Sequence, residues 1–253
     1  MNMIDNSQRT AAKIAGVTGL LAVAIVVFGN YVLLSPLIVP RDAAETARNI
    51  MVHETQARVA LICFLLYSAN IVVLLTALYV ILRPVDRILA LIGALFRLVF
   101  AVLWLLATLN LLGSLRLVGT VPYLEVFQPD HVQALARLQI AANFDDYYIG
   151  LPFFGLAATI CAYLWLKSGY IPKTLAVFGV ISSAWCVVCA FIFLVFPNFN
   201  KVVNDYIFDT PMAIFELGVS VWLLFKGLQP SRTPTEADGV SNVHSHHTFP
   251  IFL

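Results

Sequence analysis

Charged residues are scarce in this chain. Asp, Glu, Lys and Arg make up 11% of its 253 residues, whereas water-soluble domains carry about a quarter of their residues as charges. Hydrophobic residues make up 60% of the chain. This balance excludes disordered chains, disulfide scaffolds and ordinary soluble enzymes, and it indicates a protein surrounded by lipid.

The chain also lacks the basic surface that nucleic acids require. Its formal net charge is +1, and neither a basic block nor an aromatic RNA-binding pattern occurs, so we expect no nucleic acid partner. It has no Walker loop, zinc-protease motif, Gly-x-Ser-x-Gly elbow or dinucleotide fingerprint. The sequence thus identifies no catalytic residue, no metal ligand and no cofactor, and an enzyme is the least favoured functional class.

Cysteine is rare as well, with four residues in the whole chain. All of them, Cys63, Cys161, Cys186 and Cys189, fall inside apolar runs, where a disulfide framework for loops has no use for them. Cys186 and Cys189 match Cys-x-x-Cys, but a redox pair needs a helix N-terminus and access to a reductant. Their position among apolar residues favours close helix packing.

What the chain has in abundance is apolar runs. Six of them have roughly the length that a helix needs to cross about 30 Å of hydrocarbon. They are Ile14 to Leu34, Ala57 to Leu82, Ile88 to Leu115, Ile140 to Leu166, Leu175 to Phe196 and Met212 to Phe225. The sequence therefore predicts an all-α integral membrane six-helix bundle over residues 13–228, with an N-terminal tail over 1–12 and a disordered tail over 229–253.

Short helices are predicted on one surface of the bundle. Asp42 can accept from the free amides of a first helical turn and Glu45 can reach back to it, which predicts a helix that ends near Val52. A second helix start, at Pro129-Asp130, predicts a separate short helix from His131 to Leu138 ahead of the fourth span.

The distribution of basic residues predicts the orientation. Arg83 and Arg87 bracket one very short loop, and Lys167 and Lys173 bracket another. Short basic loops face the cytoplasm. We therefore expect a multi-pass protein of the cytoplasmic (inner) membrane whose N-terminus and C-terminus are both cytoplasmic.

Two charged residues lie deep in the predicted spans, Arg97 in the third and Glu216 in the sixth. Both are about 15 Å above the basic residues at the inner ends of their spans. Because an unpaired charge in hydrocarbon is costly, equal depth predicts that they contact each other. The pair either fixes helix register or forms a binding or proton site, and the sequence leaves both readings open.

A second polar group is predicted near the outer interface, comprising Glu54, Arg58, Asp145, Asp146 and Tyr148. Adjacent acids on a helix cannot face the same way, so one of Asp145 and Asp146 should point inward and the other should meet water. Arg58 lies at similar depth and could pair with either. Together these candidate binding residues would line an outward-facing vestibule that leads to Arg97 and Glu216. Interfacial charges in contact with water are the alternative.

Several segments are similar to one known family. They are Leu37 to Pro40, Asp42 to Ile50, Phe96 to Leu98, Ile149 to Gly155, Lys167 to Pro172, and Glu216-Leu217 ahead of Trp222. Over roughly Ala12 to Gly227 the chain resembles the mainly bacterial membrane proteins grouped as domain of unknown function 4386. The resemblance implies a multi-pass inner-membrane protein with Arg97 and Glu216 at matching positions, and it implies no activity.

Three hypotheses follow from the sequence. The first is binding or transport of a small molecule or lipid through an outward-facing polar cavity. The second is a regulatory or assembly subunit with a filled core, which would have a membrane-protein partner or a second copy of the chain as its partner. The third is an intramembrane enzyme that acts on a lipid or quinone at a cleft open to lipid. Membrane lipid is an expected partner in each.

Overall fold

The computed structural model describes residues 4–39, 42–118, 128–196 and 205–229. These residues form seven α-helices and no strands. The helices are α1 (Asn6–Val26), α2 (Ala43–Val52), α3 (Glu54–Leu82), α4 (Arg87–Val118), α5 (Pro129–Ser168), α6 (Lys173–Val195) and α7 (Asp205–Phe225). The tail predicted over 229–253 lies outside the described residues from residue 230 onward.

Six helical segments are long and apolar enough to cross a membrane. They are Asn6–Leu37, Glu54–Leu82, Arg87–Leu117, Ala134–Ser168, Lys173–Val195 and Ile207–Phe225. The prediction of an all-α six-span bundle is therefore confirmed, and the chain is a multi-pass membrane protein. Many large apolar side chains, such as Ile62 and Leu106, are exposed on the outside of the bundle, as contact with lipid tails requires.

The six spans form a closed ring. Each span packs against its neighbours in sequence, from α1 with α3 through to α6 with α7, and α7 packs back against α1. Consequently α4 and α7 face each other across the centre of the ring. We call the end of the bundle that holds Asn6, Leu82 and Phe225 the terminal end, and the other the opposite end.

Glycines allow α7 to approach its two neighbours. A Cβ added to Gly19 of α1 would collide with the Ser220 hydroxyl, and one added to Gly16 would lie 2.8 Å from the Leu224 nitrogen. A Cβ on Gly179 of α6 would overlap the ring of Phe215. Small residues at helix contacts let backbones come close in lipid, where no hydrophobic force drives helices together.

The first span is irregular at the opposite end. A π-helix, Val27–Leu34, and a short 3-10 helix, Ser35–Leu37, continue α1. The Gln56 side-chain amide donates to the Leu33 carbonyl at 2.8 Å and so satisfies a backbone group of this segment. The apolar run alone indicated a plain span, because its composition does not distinguish a π-helix from an α-helix.

One predicted surface helix is present and the other is not separate. Helix α2 begins as expected, with the Glu45 amide donating to the Asp42 carboxylate at 2.9 Å. The helix predicted from His131 to Leu138 is instead the start of α5, which runs for 40 residues and continues through Pro152. No glycine or proline stands between His131 and Ile149 to end a helix there.

Hydrogen bonds close the ring at the terminal end. The buried Gln8 side chain donates to the Ile81 carbonyl at 3.1 Å and to the Tyr170 hydroxyl at 3.3 Å. The Gln229 amide donates to the Tyr170 carbonyl at 2.9 Å. Tyr170 therefore links both ends of the described chain to the turn between α5 and α6.

Candidate central binding site

Arg97 and Glu216 form a bidentate ion pair. Arg97 Nη1 donates to Glu216 Oε2 at 3.1 Å, and Nη2 donates to Oε1 at 2.5 Å. The Arg97 side chain is 2% exposed and that of Glu216 is 20% exposed. The contact predicted from equal depth is thus confirmed, in the planar geometry that guanidinium and carboxylate groups favour.

The pair crosses the interior of the ring. It joins α4 to α7, which are not neighbours, so the two side chains bridge the space between the helices. Removing either member would leave the other charge without its partner in a low-dielectric interior, which typically costs 3–5 kcal/mol (an order-of-magnitude range). The ion pair therefore holds opposite sides of the bundle together.

Aromatic rings fill the interior on the opposite-end side of Arg97. We call Phe64, Tyr67, Phe100, Trp104 and Phe154 the aromatic cluster. Arg97 Cζ lies 5.2 Å from the centre of the Phe154 ring, in cation–π range. Phe154 stacks on Phe100 at 4.6 Å, and Trp104 lies 4.8 Å from Tyr67. These rings separate the ion pair from the polar residues of the opposite end.

Two narrow crevices reach the ion pair from the terminal side. The larger has walls from α1, α3, α4, α5 and α7 and includes both Arg97 and Glu216. The smaller lies between α3, α4 and α5. Leu78, Arg97 and Cys161 line both.

These crevices do not lie where the sequence places a cavity. The larger extends to Trp165 and Leu223, and the smaller extends to Leu82 and Ala90. All four residues lie within about two turns of the terminal end. The vestibule was predicted on the side of Arg97 that the aromatic cluster occupies, and the crevices lie on the other side of the ion pair. The outward-facing direction of a cavity stays a prediction.

Three buried side-chain atoms in the described part of the chain have no hydrogen-bond partner. They are Arg97 Nε, Trp104 Nε1 and Trp222 Nε1. All three are N–H donors, and an unpaired buried donor typically costs about 1–3 kcal/mol. Both oxygens of Glu216 already accept from Arg97.

The second predicted group, at the opposite end of the bundle, does not contact Arg97 or Glu216. Arg58 pairs with Glu54 at 2.6 Å on the surface of α3 and not with either aspartate. Asp146 accepts from the Asn110 amide at 2.7 Å, whereas Asp145 is exposed, as predicted for adjacent acids. The half-buried Tyr148 packs against the rings of Tyr147 and Phe193, and binding by this second group stays a prediction.

Polar contacts between α4 and α5 were not predicted. The buried Asn143 amide donates to the Ala107 carbonyl at 2.6 Å, one turn from the Asn110–Asp146 contact. Tyr147 also donates to Asp209 of α7 at 3.4 Å. The signal was available, because Asn110 and Asn143 are polar residues inside or beside apolar runs and such side chains seek partners on other helices.

Two buried cysteines lie at a contact between packed helices. Cys186 and Cys189 are fully buried free cysteines on α6, as the apolar context predicted. Within the described ranges, no group of three or more His, Cys, Asp or Glu side chains is arranged to hold a metal ion.

Comparison with known proteins gives one match. Neither the search of curated proteins nor the search of solved structures found a similar protein. One family model matches residues 14–227, which include most of the first span, the other five spans and the ion pair. The resemblance drawn from sequence segments is confirmed, and the chain belongs to the family described as Domain of unknown function (DUF4386).

Proposed function

We propose that this membrane protein binds a small lipid-soluble molecule in the larger crevice, beside Arg97 and Glu216. The observation that carries the proposal is the buried ion pair that lines this crevice while Arg97 Nε has no partner. Ligand sites are mostly apolar clefts with a few polar groups that fix orientation. The walls of this crevice are mostly apolar and include the ion pair.

The alternative is that the pair only braces the ring of a regulatory or assembly subunit. A brace works best when the core around it is filled and every buried donor is paired, because voids and unpaired groups both reduce stability. The unpaired Nε–H is what favours binding over a purely structural pair.

A mass measurement separates these functions. Native mass spectrometry of the protein, extracted in a mild detergent, should show a bound small molecule on the wild type. The molecule should be lost from the Arg97→Met/Glu216→Leu double variant, which replaces the ion pair with apolar side chains. The control is Arg58→Met/Glu54→Leu, which removes the exposed pair and should retain the molecule. Equal spectra for all three proteins would favour a purely structural role for the ion pair.

We also propose that the terminal end faces the cytoplasm, so that the ligand lies in the inner half of the membrane. Among the described residues, the basic side chains exposed near this end are Arg9, Lys13, Arg83, Arg87, Lys167, Lys173 and Lys226. Asp5 and Asp86 are the acidic residues there. Such an excess of positive charge is typical of cytoplasmic loops.

Cysteine labelling tests this orientation. In a background without the four natural cysteines, Ser168→Cys should react with an impermeant maleimide only after the cells are opened. Arg48→Cys, on α2 at the opposite end, should react in intact cells that have a permeable outer envelope. The reverse pattern would show that the terminal end faces outward.

A further inference from the structure

Exposed basic residues of the terminal end are grouped on two adjacent loops. Arg83 and Arg87 bracket the loop between α3 and α4, and Lys167 and Lys173 bracket the turn between α5 and α6. We call these four residues the loop cluster. We propose that the loop cluster binds the headgroup of an anionic phospholipid in the leaflet that surrounds the terminal end. This site is independent of the ligand and of the orientation proposed above.

The first argument is the depth of the loop cluster. Each of its members stands at, or within one residue of, the end of a membrane-spanning segment. Exposed apolar or aromatic side chains lie within one helical turn of the cluster, namely Ile88, Tyr163 and Val177. The charges are therefore at the level of lipid headgroups, with surface for acyl chains beside them, and this depth favours a phospholipid over a soluble anion.

The second argument is a contact that brings the two loops together. Lys167 Nζ lies 3.7 Å from Asp86 Oδ2 and so holds the α5–α6 turn against the α3–α4 loop. Asp86 Oδ1 accepts from the Leu89 amide at 3.1 Å. Asp86 is the acidic residue of these two loops, and both of its carboxylate oxygens are already engaged. The loop cluster therefore has a clear excess of positive charge.

The third argument is the lack of counter-charges within the described ranges. Arg83, Arg87 and Lys173 form no ion pair with any described residue. At the opposite end, by contrast, Arg48 and Arg58 each pair with a glutamate of their own helix. Basic groups between transmembrane helices recognise anionic lipid headgroups, and a headgroup phosphate has the charge that complements this cluster.

The remaining basic residues of the terminal end provide a comparison. Arg9 and Lys13 lie on α1, and Lys226 follows the last residue of α7. Asp5 lies one turn before Arg9 on the same helix and offsets part of its charge. No contact like that of Lys167 with Asp86 joins α1 to Lys226 among the described residues. We therefore expect weaker lipid selection there than at the loop cluster.

Lipid titrations of the full protein in a mild detergent, read by native mass spectrometry, test the proposal. The probes are phosphatidylglycerol, which is anionic, and phosphatidylcholine with identical acyl chains, which is zwitterionic. The wild type should bind phosphatidylglycerol about tenfold or more tightly, since each basic residue near an anionic headgroup contributes roughly fivefold. Salt at about 1 M should remove most of this preference because it screens exposed charges.

A loop variant locates the effect. Arg83→Gln/Arg87→Gln/Lys173→Gln removes three charges of the cluster and leaves the contact of Lys167 with Asp86 in place. It should lose the preference for phosphatidylglycerol and keep its affinity for phosphatidylcholine. All three substituted side chains are exposed, and the comparison of the two lipids on the wild type does not depend on any variant.

The matched control removes the same number of charges from the same end. Arg9→Gln/Lys13→Gln/Lys226→Gln has the same net charge as the loop variant, and its substituted side chains are likewise exposed and without an ion pair to a described residue. This control should retain most of the preference for phosphatidylglycerol.

Three outcomes would overturn the proposal. Equal affinity of the wild type for the two lipids would show that the terminal end does not select anionic headgroups. Equal losses in the loop variant and the control would show a diffuse attraction by the whole end rather than binding at the loop cluster. Displacement of phosphatidylglycerol by millimolar inorganic phosphate would show that the cluster takes a free anion. None of these results bears on a molecule bound beside Arg97 and Glu216.

Discussion

One Arg–Glu pair in the interior of the molecule and one at its surface have similar lengths in very different surroundings. Arg97 and Glu216 approach to 2.5 Å across the ring, with side chains that are 2% and 20% exposed. Arg58 and Glu54 approach to 2.6 Å on one helix, with side chains that are 54% and 49% exposed. The same kind of contact therefore occurs both in the bundle interior and at its surface.

The difference lies in what surrounds each charge. At the surface, water solvates either residue when its partner is removed, so an exposed pair on one helix contributes about 0.3–0.5 kcal/mol. In the interior, no solvent replaces the lost partner. A short distance between charged atoms therefore says little about an ion pair until the burial of both side chains is known.

The largest effect is expected from breaking the central pair. Arg97→Met leaves the Glu216 charge without a partner and should lower the free energy of unfolding by about 3–5 kcal/mol. Reversible unfolding in mixed detergent micelles would measure it. A loss of unfolding free energy no larger than that of Arg58→Met would show that water reaches the central pair. The interior and surface pairs would then not differ.

A smaller effect is expected from moving Glu216 without changing a charge. Gly179→Ala places a Cβ against the Phe215 ring, next to Glu216, and overpacking of this kind typically costs about 1–3 kcal/mol. The matched control is Gly218→Ala, whose Cβ would meet only the flexible end of Leu175 at 3.2 Å. Equal unfolding curves for the two variants would show that α6 and α7 tolerate a wider spacing.

Removing both charges should cost less than removing one. Arg97→Met/Glu216→Leu leaves no isolated charge, so its stability should lie within about 1 kcal/mol of the wild type, since apolar replacement of a buried pair is often neutral. The same unfolding assay measures it, with Arg97→Met for comparison. A double variant as unstable as the single one would mean that packing around these side chains, rather than charge, dominates.

The smallest effect is expected at the surface pair. Arg58→Met should change the unfolding free energy by less than about 0.5 kcal/mol, and salt near 1 M should remove the difference from wild type because it screens exposed charges. The deficit of Arg97→Met should persist in the same salt. Persistence of a deficit at Arg58 would show that this pair is shielded, in the membrane interface or by another element.

The sequence predicts positions along the helix axes well. A rise of 1.5 Å per residue places Arg97 and Glu216 at the same depth, and the cost of an isolated charge in lipid then predicts their contact. Lengths of apolar runs predict the six spans in the same way. That only one of Asp145 and Asp146 points inward was also predictable, because adjacent residues on a helix face different directions.

The direction in which each side chain points around its helix axis was harder to predict from the sequence. The order of the ring, and hence the position of Arg97 opposite Glu216, depends on contacts such as that of Gly19 with Ser220, which no single run reveals. The side of Arg97 that is filled was partly visible, since Phe100 and Trp104 follow it at helical spacing on one face. The participation of Phe154 depends on how α5 packs, and that required the structure.

Closure of the ring by α7 has a consequence for synthesis. Arg97 and Glu216 are 119 residues apart in the chain, and a ribosome adds about 5–20 residues per second. The third span therefore waits on the order of ten seconds for its counter-charge at these rates. During that interval Arg97 depends on lipid headgroups, on water or on the insertion machinery, and a chain that stops before α7 would expose to quality control an arginine that the finished protein conceals.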